Sequence, residues 1–474
     1  PFLPFSRCET PRPARCHAKR AYFLIFFPFP PFFEILTLDI RLTIPYNAPK
    51  TRQGGRNMRC ILKNAKVFSQ GVFHLADVFL SDGKIVSIGN GASRSDDTIT
   101  IDISNMVLFP GFVDVHVHLR EPGFSYKETV KTGTLAAANG GYAAICTMPN
   151  LDPVPDSIEH LERQLEIIRR DACIPVYPYG AITIGENGRE LSDMDALAPY
   201  VVAFSDDGKG VQNEEIMLAA MKKAKKLHKI IAAHCEDNSL VRGGCIHDGN
   251  YADRHSLPGI CSESEWRPIA RDIELVRKSG CSYHVCHVST KESVNLIRKA
   301  KSEGLDITCE TAPHYLVLCD EDLVDSGSFK MNPPIRSEAD RDALIEGILD
   351  GTIDMIATDH APHSEKEKSG GLRSSLNGIV GLETAFPVLY TRLVRRGILS
   401  LNRLIELMST APARRFGIDI GNRTAEFEIS TPYIVDSAEF LSLGKASPFV
   451  GMQGFGKCIK TTRNGKTVKE DKFN

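Results

Sequence analysis

The densest chemistry in this sequence is carried by imidazoles and carboxylates that close short apolar runs. His116 and His118 flank one valine in FVDVHVHL. On an extended strand residues i and i+2 face the same side, about 7 Å apart. Four further runs end alike: VVAFSDD in Asp206 and Asp207, IIAAHC near His234, YHVCHV near His287 and DMIATD in Asp359. A charged or imidazole group at the end of a buried run needs a partner or a metal. Two exposed histidines on a surface strand would explain His-x-His alone, but not five strands delivering six such groups. Nitrogen and oxygen ligands without cysteine suit Zn²⁺, with Mn²⁺ or Co²⁺ as alternatives. Four His and two Asp exceed one tetrahedral shell, which leaves two arrangements open. Either two metals share a bridging carboxylate, or one metal is held and the remaining groups serve other roles. A metal lowers the pKa of its water to about 7 and polarises a carbonyl, so the implied chemistry is hydrolysis of an amide, an ester or a similar bond. Asp359, closing the last run, is the expected general base. Cys235 and Cys286 adjoin these groups in sequence, are expected on the opposite strand faces, and read as packing residues.

Positioning so many groups on one rim requires many strands. From Phe112 onward eight β-rich runs are expected, at Phe112–Leu119, Tyr142–Met148, Ile174–Gly180, Tyr200–Asp206, Lys229–Cys235, Cys281–Val288, Leu305–Glu310 and Ile353–Asp359. Helical patterns lie between them at Tyr126–Asn139, Ser157–Arg170, Asn213–His228, Ser264–Ser279, Lys291–Ser302 and Ala339–Leu349. This alternation predicts an α/β fold, a (β/α)8 TIM barrel whose chemistry sits at the C-terminal strand ends. An open doubly wound sheet is the alternative, weakened because no glycine-rich phosphate loop follows the first strand. A long helical region is expected from Leu382 to about Phe416. Short β pieces at Arg59–Val67, Val72–Val86, Glu426–Val435 and Cys458–Val468 flank the body, with turns at Ser81-Asp82-Gly83 and Asn464-Gly465. Segments 58–109 and 417–474 are each too small to stand alone and are expected to pair into one small accessory β domain beside a barrel spanning 110–416.

The composition fits this picture. The chain has 474 residues, 42% hydrophobic and 24% charged, with a formal net charge of −2. It is too well supplied with apolar residues to be disordered, and it has no basic footprint for nucleic acid. No uninterrupted apolar run is long enough for a membrane span. The 13 cysteines are odd in number and form no CxxC pair, which suits a reducing, cytoplasmic compartment. Residues 1–57 stand apart, with nine of the 27 prolines, eight of the 23 phenylalanines, and nine Lys/Arg against three Asp/Glu. Their run Ala21–Phe33 is apolar but broken by three prolines, so it suits neither a helix nor a central strand. A targeting segment is one reading, although no A-x-A-like cleavage site follows. The preferred reading is a non-domain leader, upstream sequence translated in a gene model, with Met58 as the natural start.

Seven motifs in order carry a resemblance: PGFVDVHVHLREPG (110–123), TMPN (147–150), FSDDG (204–208), AHCED (233–237), HVST (287–290), KMNPPIR (330–336) and ATDHAPHS (357–364). Together they resemble the class I dihydroorotases of the amidohydrolase superfamily over about residues 58–410. The resemblance implies a zinc enzyme of pyrimidine biosynthesis that interconverts N-carbamoyl-L-aspartate and L-dihydroorotate. It implies that His116, His118 and Asp359 hold one metal, that His234 and His287 hold a second, and that Asp207 is shared. Asp206 stays open as the shared ligand, because spacing separates neighbours poorly. Arg120, Asn150 and His363 are implied to bind the substrate carboxylate, and Asn332 the ring amide. Arg120 follows His118 by two residues, and its planar fork suits a carboxylate. An ion pair with Glu121 is its plainer role, as a turn is for Asn150.

One departure concerns the bridge. Many relatives carry a carboxylated lysine there, whereas the fourth run offers only Asp206-Asp207, with Lys209 beyond the turn. This matches a branch that uses Asp and leaves one or two zinc ions open. Gly370-Gly371 suggests a mobile loop that closes over substrate. Dihydropyrimidinase, hydantoinase and allantoinase are the nearest rivals; they are expected to carry the lysine and to lack a carboxylate clamp. A second rival is a silent partner of aspartate carbamoyltransferase, disfavoured because every expected ligand is present. Docking of an active enzyme on that partner, and a homo-oligomer, are further expectations.

Overall fold

The computed structural model describes residues 59–69, 72–81, 84–89, 98–102, 106–421, 423–463 and 466–470. Residues 1–57, expected as a leader, and the turn residues Asp82, Gly83, Asn464 and Gly465 lie outside the described residues. The first strands are β1 (Arg59–Ser69), β2 (Val72–Ser81), β3 (Lys84–Ile88), β4 (Thr98–Asp102) and β5 (Met106–Pro110). There follow β6 (Phe112–Val117), β7 (Tyr142–Thr147), β8 (Val176–Pro178), β9 (Gly180–Ala181), β10 (Phe204–Ser205) and β11 (Ile230–Ala233). A small parallel pair, β12 (Ile246–His247) and β13 (Gly259–Ile260), forms an excursion. The chain continues through β14 (Ser282–Val285), β15 (Ile307–Thr311) and β16 (Met355–Ile356). It ends with β17 (Thr424–Glu428), β18 (Tyr433–Ile434), β19 (Gln453–Gly454), β20 (Lys457–Arg463) and β21 (Lys466–Glu470).

All eight expected runs of the body form strands, and all pair in parallel in chain order. β6 pairs β7 and β7 pairs β8; β9, one residue after β8, pairs β10. Pairing then steps from β10 to β11, β14, β15 and β16. Just past β16, His360 bridges in parallel to Val117 of β6, so the last segment meets the first. The runs are apolar because both faces are covered: β6 and β7 are buried at every position. One face packs Val113, Val115, Ala144, Cys146, Tyr179, Ala203, Ala232 and Met355 together and is plugged by Phe416 and Ile418. The other packs Phe112, Ile145, Phe204, Ile231, Val285 and Ile307 against the helices. Gly111 is required by close approach, since a Cβ there would lie 2.5 Å from the Cβ of Ala143. The six expected helices form within a few residues of their predicted bounds, several started by a side chain such as Asn213, which accepts from the amides of Glu215 and Ile216.

Most β pieces before and after the body share one eight-stranded sheet, ordered β21-β20-β17-β5-β1-β2-β3, with β4 beside β1, while β18 and β19 pair only with each other. The joint is the antiparallel pairing of β17 with β5. The region 382–416, expected as one helical stretch, is split. Gly397 adopts φ +73° and Ser400 caps a new helix at Leu401 by accepting from Arg403 N. Among the described residues no helix is long and apolar enough to cross a membrane, and Cys146, Cys235, Cys245, Cys261, Cys281, Cys286, Cys309 and Cys319 are free thiols.

Candidate active site

The strands stop short of the chemistry. Asp206 and Asp207 directly follow β10, His234 directly follows β11, His287 lies two residues past β14, and Asp359 three past β16. Freed from the ladder, the backbone turns sharply: Arg120, His287 and Asp359 have φ of 60°, 33° and 49°. Such left-handed residues cost about 1–3 kcal/mol each and persist only where surroundings hold them. The β6–β7 register is irregular between Asp114 and Val117, and Val117 packs with the outer cluster instead of with Val113 and Val115. Nine of the ten residues singled out from the sequence line a single cavity of about 190 Å³: His118, Arg120, Asn150, Asp207, His234, His287, Asn332, Asp359 and His363. His116 is fully buried, its Nε2 3.2 Å from Asp207 and 3.6 Å from Asp359.

Asp207 is central. Its carboxylate oxygens lie 3.4 Å from His118 Nε2, 3.8 Å from His234 Nδ1 and 3.7 Å from His287 Nε2. Asp206 points elsewhere, accepting from the amides of Ile182 (2.7 Å) and Thr183 (3.0 Å) and from the Thr183 hydroxyl. Asp359 Oδ1 lies 3.1 Å from His118 Nε2. His234 Nδ1 and His287 Nε2 are 2.9 Å apart.

Burial disfavours the carboxylate of Asp207, but the surrounding imidazoles, His116 foremost, hold it well below the usual range. Burial likewise disfavours the imidazolium of His116, yet Asp207 and Glu310 raise it well above the ordinary histidine value. Asp359 is held low by His118 and His116 against burial. Buried and without hydrogen-bond partners are His116 Nε2, Asp207 Oδ1 and His234 Nε2. A polar atom left so costs about 1–3 kcal/mol. Two ligand groups overlap here, His116–His118–Asp359 and His116–Asp207–His287, each with its ligand atoms within 4.8 Å of one another. Convergent carboxylates and imidazoles, with buried ring nitrogens and a carboxylate oxygen that lack hydrogen-bond partners, fit a cation.

Several supporting residues escaped the sequence reading. Glu310 Oε1 lies 2.6 Å from His116 Nδ1, and its Oε2 3.2 Å from His284 Nε2. Its position at the end of the seventh run was the available signal. Asp114 accepts from His116 N and Thr358 N, tying the first strand to the segment before Asp359, and burial pushes its carboxyl up to about 7. Glu236 Oε1 accepts from Asn332 Nδ2 at 2.9 Å. Cys286 is not directed away from the site. The strand ends at Val285, and with His287 at φ 33° alternation fails, so Cys286 falls within ligand distance of His116 and Glu310. It is buried among apolar side chains and packs as expected.

The residues expected to bind a substrate carboxylate have partners of their own. Arg120 makes no ion pair among the described residues. Its Nε donates to Pro362 O (3.2 Å), and a terminal nitrogen lies 3.4 Å from His363 Nε2. Glu121 instead accepts from Val130 N. Asn150 Oδ1 takes the Nδ1 hydrogen of His118 at 2.9 Å, which leaves Nε2 of that ring as a lone pair facing the cavity. His363 Nε2 lies 2.7 Å from Asn377 O and its Nδ1 3.3 Å from Lys127 Nζ. Burial and the two cations push its pKa down to about 3.

The chain is similar to known proteins in sequence and in fold. A family model described as Dihydro-orotase-like matches residues 105–293. A dihydroorotase of Fusobacterium nucleatum subsp. nucleatum is 49% identical over 420 residues, covering 87% of this chain and 99% of its own. The chain belongs to the dihydroorotase family. A dihydroorotase of Bacillus cytotoxicus is 47% identical over 422 residues, covering 87% and 98%. Among solved structures, an L-hydantoinase (dihydropyrimidinase) from Arthrobacter aurescens aligns with a TM-score of 0.74 at 26% identity, covering 87% of this chain and 96% of that one. A dihydropyrimidinase from Brevibacillus agri gives 0.74 at 23%, covering 88% and 96%. The chain thus shares its fold with this hydantoinase and this dihydropyrimidinase.

Proposed function

We propose that this chain interconverts L-dihydroorotate and N-carbamoyl-L-aspartate, opening and closing a cyclic amide in pyrimidine biosynthesis. The observation that carries the reading is one cavity lined by both the His/Asp cluster and the Arg120–Asn150–His363 group, in a chain nearly half identical to dihydroorotases. His116, His118 and Asp359 would hold one metal, His234 and His287 a second, with Asp207 shared; the donor set suits Zn²⁺. Bound there, the metal supplies Lewis acidity toward the amide carbonyl and acidifies a water. Asp359 takes the proton of the attacking water and returns it to the leaving ring nitrogen. Asp359 is ionised before attack, because His118 and His116 hold it below the usual carboxylate range against burial. Arg120 presents a fork to the substrate carboxylate, with Asn150 and His363 beside it, and Asn332 meets the ring amide. Dihydrouracil, hydantoin and allantoin have no such carboxylate, which favours dihydroorotate over those substrates.

The circuit of parallel strands from β6 to β16 is read as a closed (β/α)8 barrel over 110–416, with the shared sheet of 58–109 and 417–474 as its accessory domain and 1–57 as a leader. Free buried cysteines support a reducing, cytoplasmic setting. A homo-oligomer and docking on aspartate carbamoyltransferase belong to the same reading, tested by sedimentation and co-elution. The deciding experiment assays ring opening of L-dihydroorotate, dihydrouracil, hydantoin and allantoin before and after metal removal by a chelator. Metal-dependent turnover of dihydroorotate alone is expected. A folded, metal-loaded chain that turns over none of them, even with aspartate carbamoyltransferase added, would make it a silent partner.

A further inference from the structure

The glycine pair that follows the DHAPH motif suggested a free loop, yet the segment is fastened by one buried cation. Lys368 is 8% exposed. Its ammonium donates to three backbone carbonyls, Lys330 O at 2.9 Å, Leu376 O at 2.7 Å and Gly378 O at 2.6 Å, which uses all three of its hydrogens. Among the described residues it makes no ion pair. A buried ammonium without a carboxylate costs stability, and an apolar side chain of similar length would fill the space at less cost. Fold alone does not call for a lysine here.

The three carbonyls belong to two loops that line the cavity. Lys330 lies two residues before Asn332. Leu376 and Gly378 flank Asn377, whose carbonyl meets His363 Nε2. Asn332, His363, Asn377 and Gly378 all face the substrate cavity. Lys330 O also accepts from Gly378 N at 3.1 Å, so it is the point where the two loops join. We propose that Lys368 is a positioning residue: its ammonium ties the loop after the seventh parallel strand to the loop after the eighth and so fixes the rim against which the substrate carboxylate seats. The inference rests on the dihydroorotase reading.

The pin depends on charge. A neutral amine has two hydrogens and cannot satisfy three carbonyls, so one is released. The charged and titratable groups around Lys368 are Lys330, whose ammonium donates to Leu372 O; His363; Asp325, which accepts from Leu372 N; and Glu367, paired with Lys127. Burial, and then Lys330, push the Lys368 pKa down to about 7. The pin is therefore complete below about pH 7 and is lost as pH rises through that value.

The test measures L-dihydroorotate kinetics from pH 6 to 9 on the metal-loaded full chain, with Lys368→Met and Lys330→Met. In the unaltered chain KM is expected to rise across pH 7. In Lys368→Met it is expected to be high and flat, roughly tenfold above the pH 6 value, because a slightly misplaced rim is costly; kcat changes less than threefold. Lys330→Met removes the neighbouring charge and is expected to move the rise to higher pH. Hydrogen exchange at the amides of Leu376 and Gly378, corrected for intrinsic rate, follows the pin without turnover. Protection should fall across pH 7 in the unaltered chain and be low throughout in Lys368→Met. Absence of turnover by the unaltered chain would refute the activity and leave the exchange result to judge the pin. The proposal is overturned if folded Lys368→Met keeps the original KM profile and exchange pattern, or loses kcat and metal together at constant KM. It is equally overturned if Lys368→Met does not fold and Lys330→Met leaves the profile unmoved.

Discussion

Replacing Glu310 with Gln should weaken metal binding without dismantling the site. Glu310 is 1% exposed and does not itself line the cavity; it meets His116, His284 and the amide of His287, so any effect must pass through its neighbours. Burial opposes its ionisation, but His116 and then His284 hold its carboxyl far below the usual range. It therefore accepts the Nδ1 hydrogen of His116 as an anion, at 2.6 Å. Hydrogen bonds to charged groups contribute about 1.5–3 kcal/mol, and neutral ones about 0.5–1.5. An amide oxygen in the same place forfeits about 1–2 kcal/mol at that bond. His284 absorbs the change more easily, since its other nitrogen faces the Thr308 hydroxyl at 2.9 Å, which can donate or accept. The loss then falls on His116, whose ring becomes a poorer donor of its Nε2 lone pair. Residues that orient a ligand in this way typically cost 10–100-fold in metal affinity, about 1.4–2.7 kcal/mol. Competition with a chromogenic zinc chelator at pH 7.5 measures this, with circular dichroism as the control for folding. A folded Glu310→Gln protein binding zinc within twofold of the original would refute the argument that Glu310 prepares His116.

Three further outcomes are expected. Asp359→Asn should lower turnover about 10²–10⁴-fold, the range for a positioned base, with the far-ultraviolet spectrum unchanged; near-normal rates would move the base elsewhere. Because Asp207 and Glu310 raise His116 well above its ordinary pKa, the metal-free protein carries that proton at pH 7. A ligand imidazole must be neutral, so metal uptake should release protons, seen as a dependence of calorimetric heat on the buffer's ionisation enthalpy; identical heats in phosphate and Tris would contradict it. Asp206→Asn should cost about 1–3 kcal/mol of stability, because a neutral amide oxygen replaces the charged acceptor of the Ile182 and Thr183 amides and an NH2 replaces the oxygen that accepts from the Thr183 hydroxyl, while leaving metal content intact; loss of metal would make Asp206 a ligand.

The order of strands and most of the cavity could be read from the sequence because both rest on local patterns. Apolar runs ending in His or Asp reveal strands and their business ends together. Asp206 and Asp207 could not be told apart, since the strand stops at Ser205 and the backbone beyond it follows no period. The same loss of alternation past Val285 misdirected Cys286. Glu310 went unread because its partners come from two other strands, one of them nearly 200 residues away, and only the fold brings them within reach. Asn150 was read for the substrate, while its bond to His118 appears only in three dimensions. The break near Gly397 was legible in hindsight, with a glycine followed three residues later by a serine cap.

The pairing of β5 with β17 has a consequence for how the chain is made. On a ribosome, β1 to β5 emerge first, and β5 then waits with one edge bare while every parallel strand is synthesised. Until β17 arrives, that edge is a row of unsatisfied amides and carbonyls open to any other extended chain. A message broken after the last helix would yield a protein with all its proposed ligands and an unguarded strand. Such a product should be lost to aggregation rather than to lack of chemistry, and supplying a peptide that matches Thr424–Glu428 in trans is the direct way to find out.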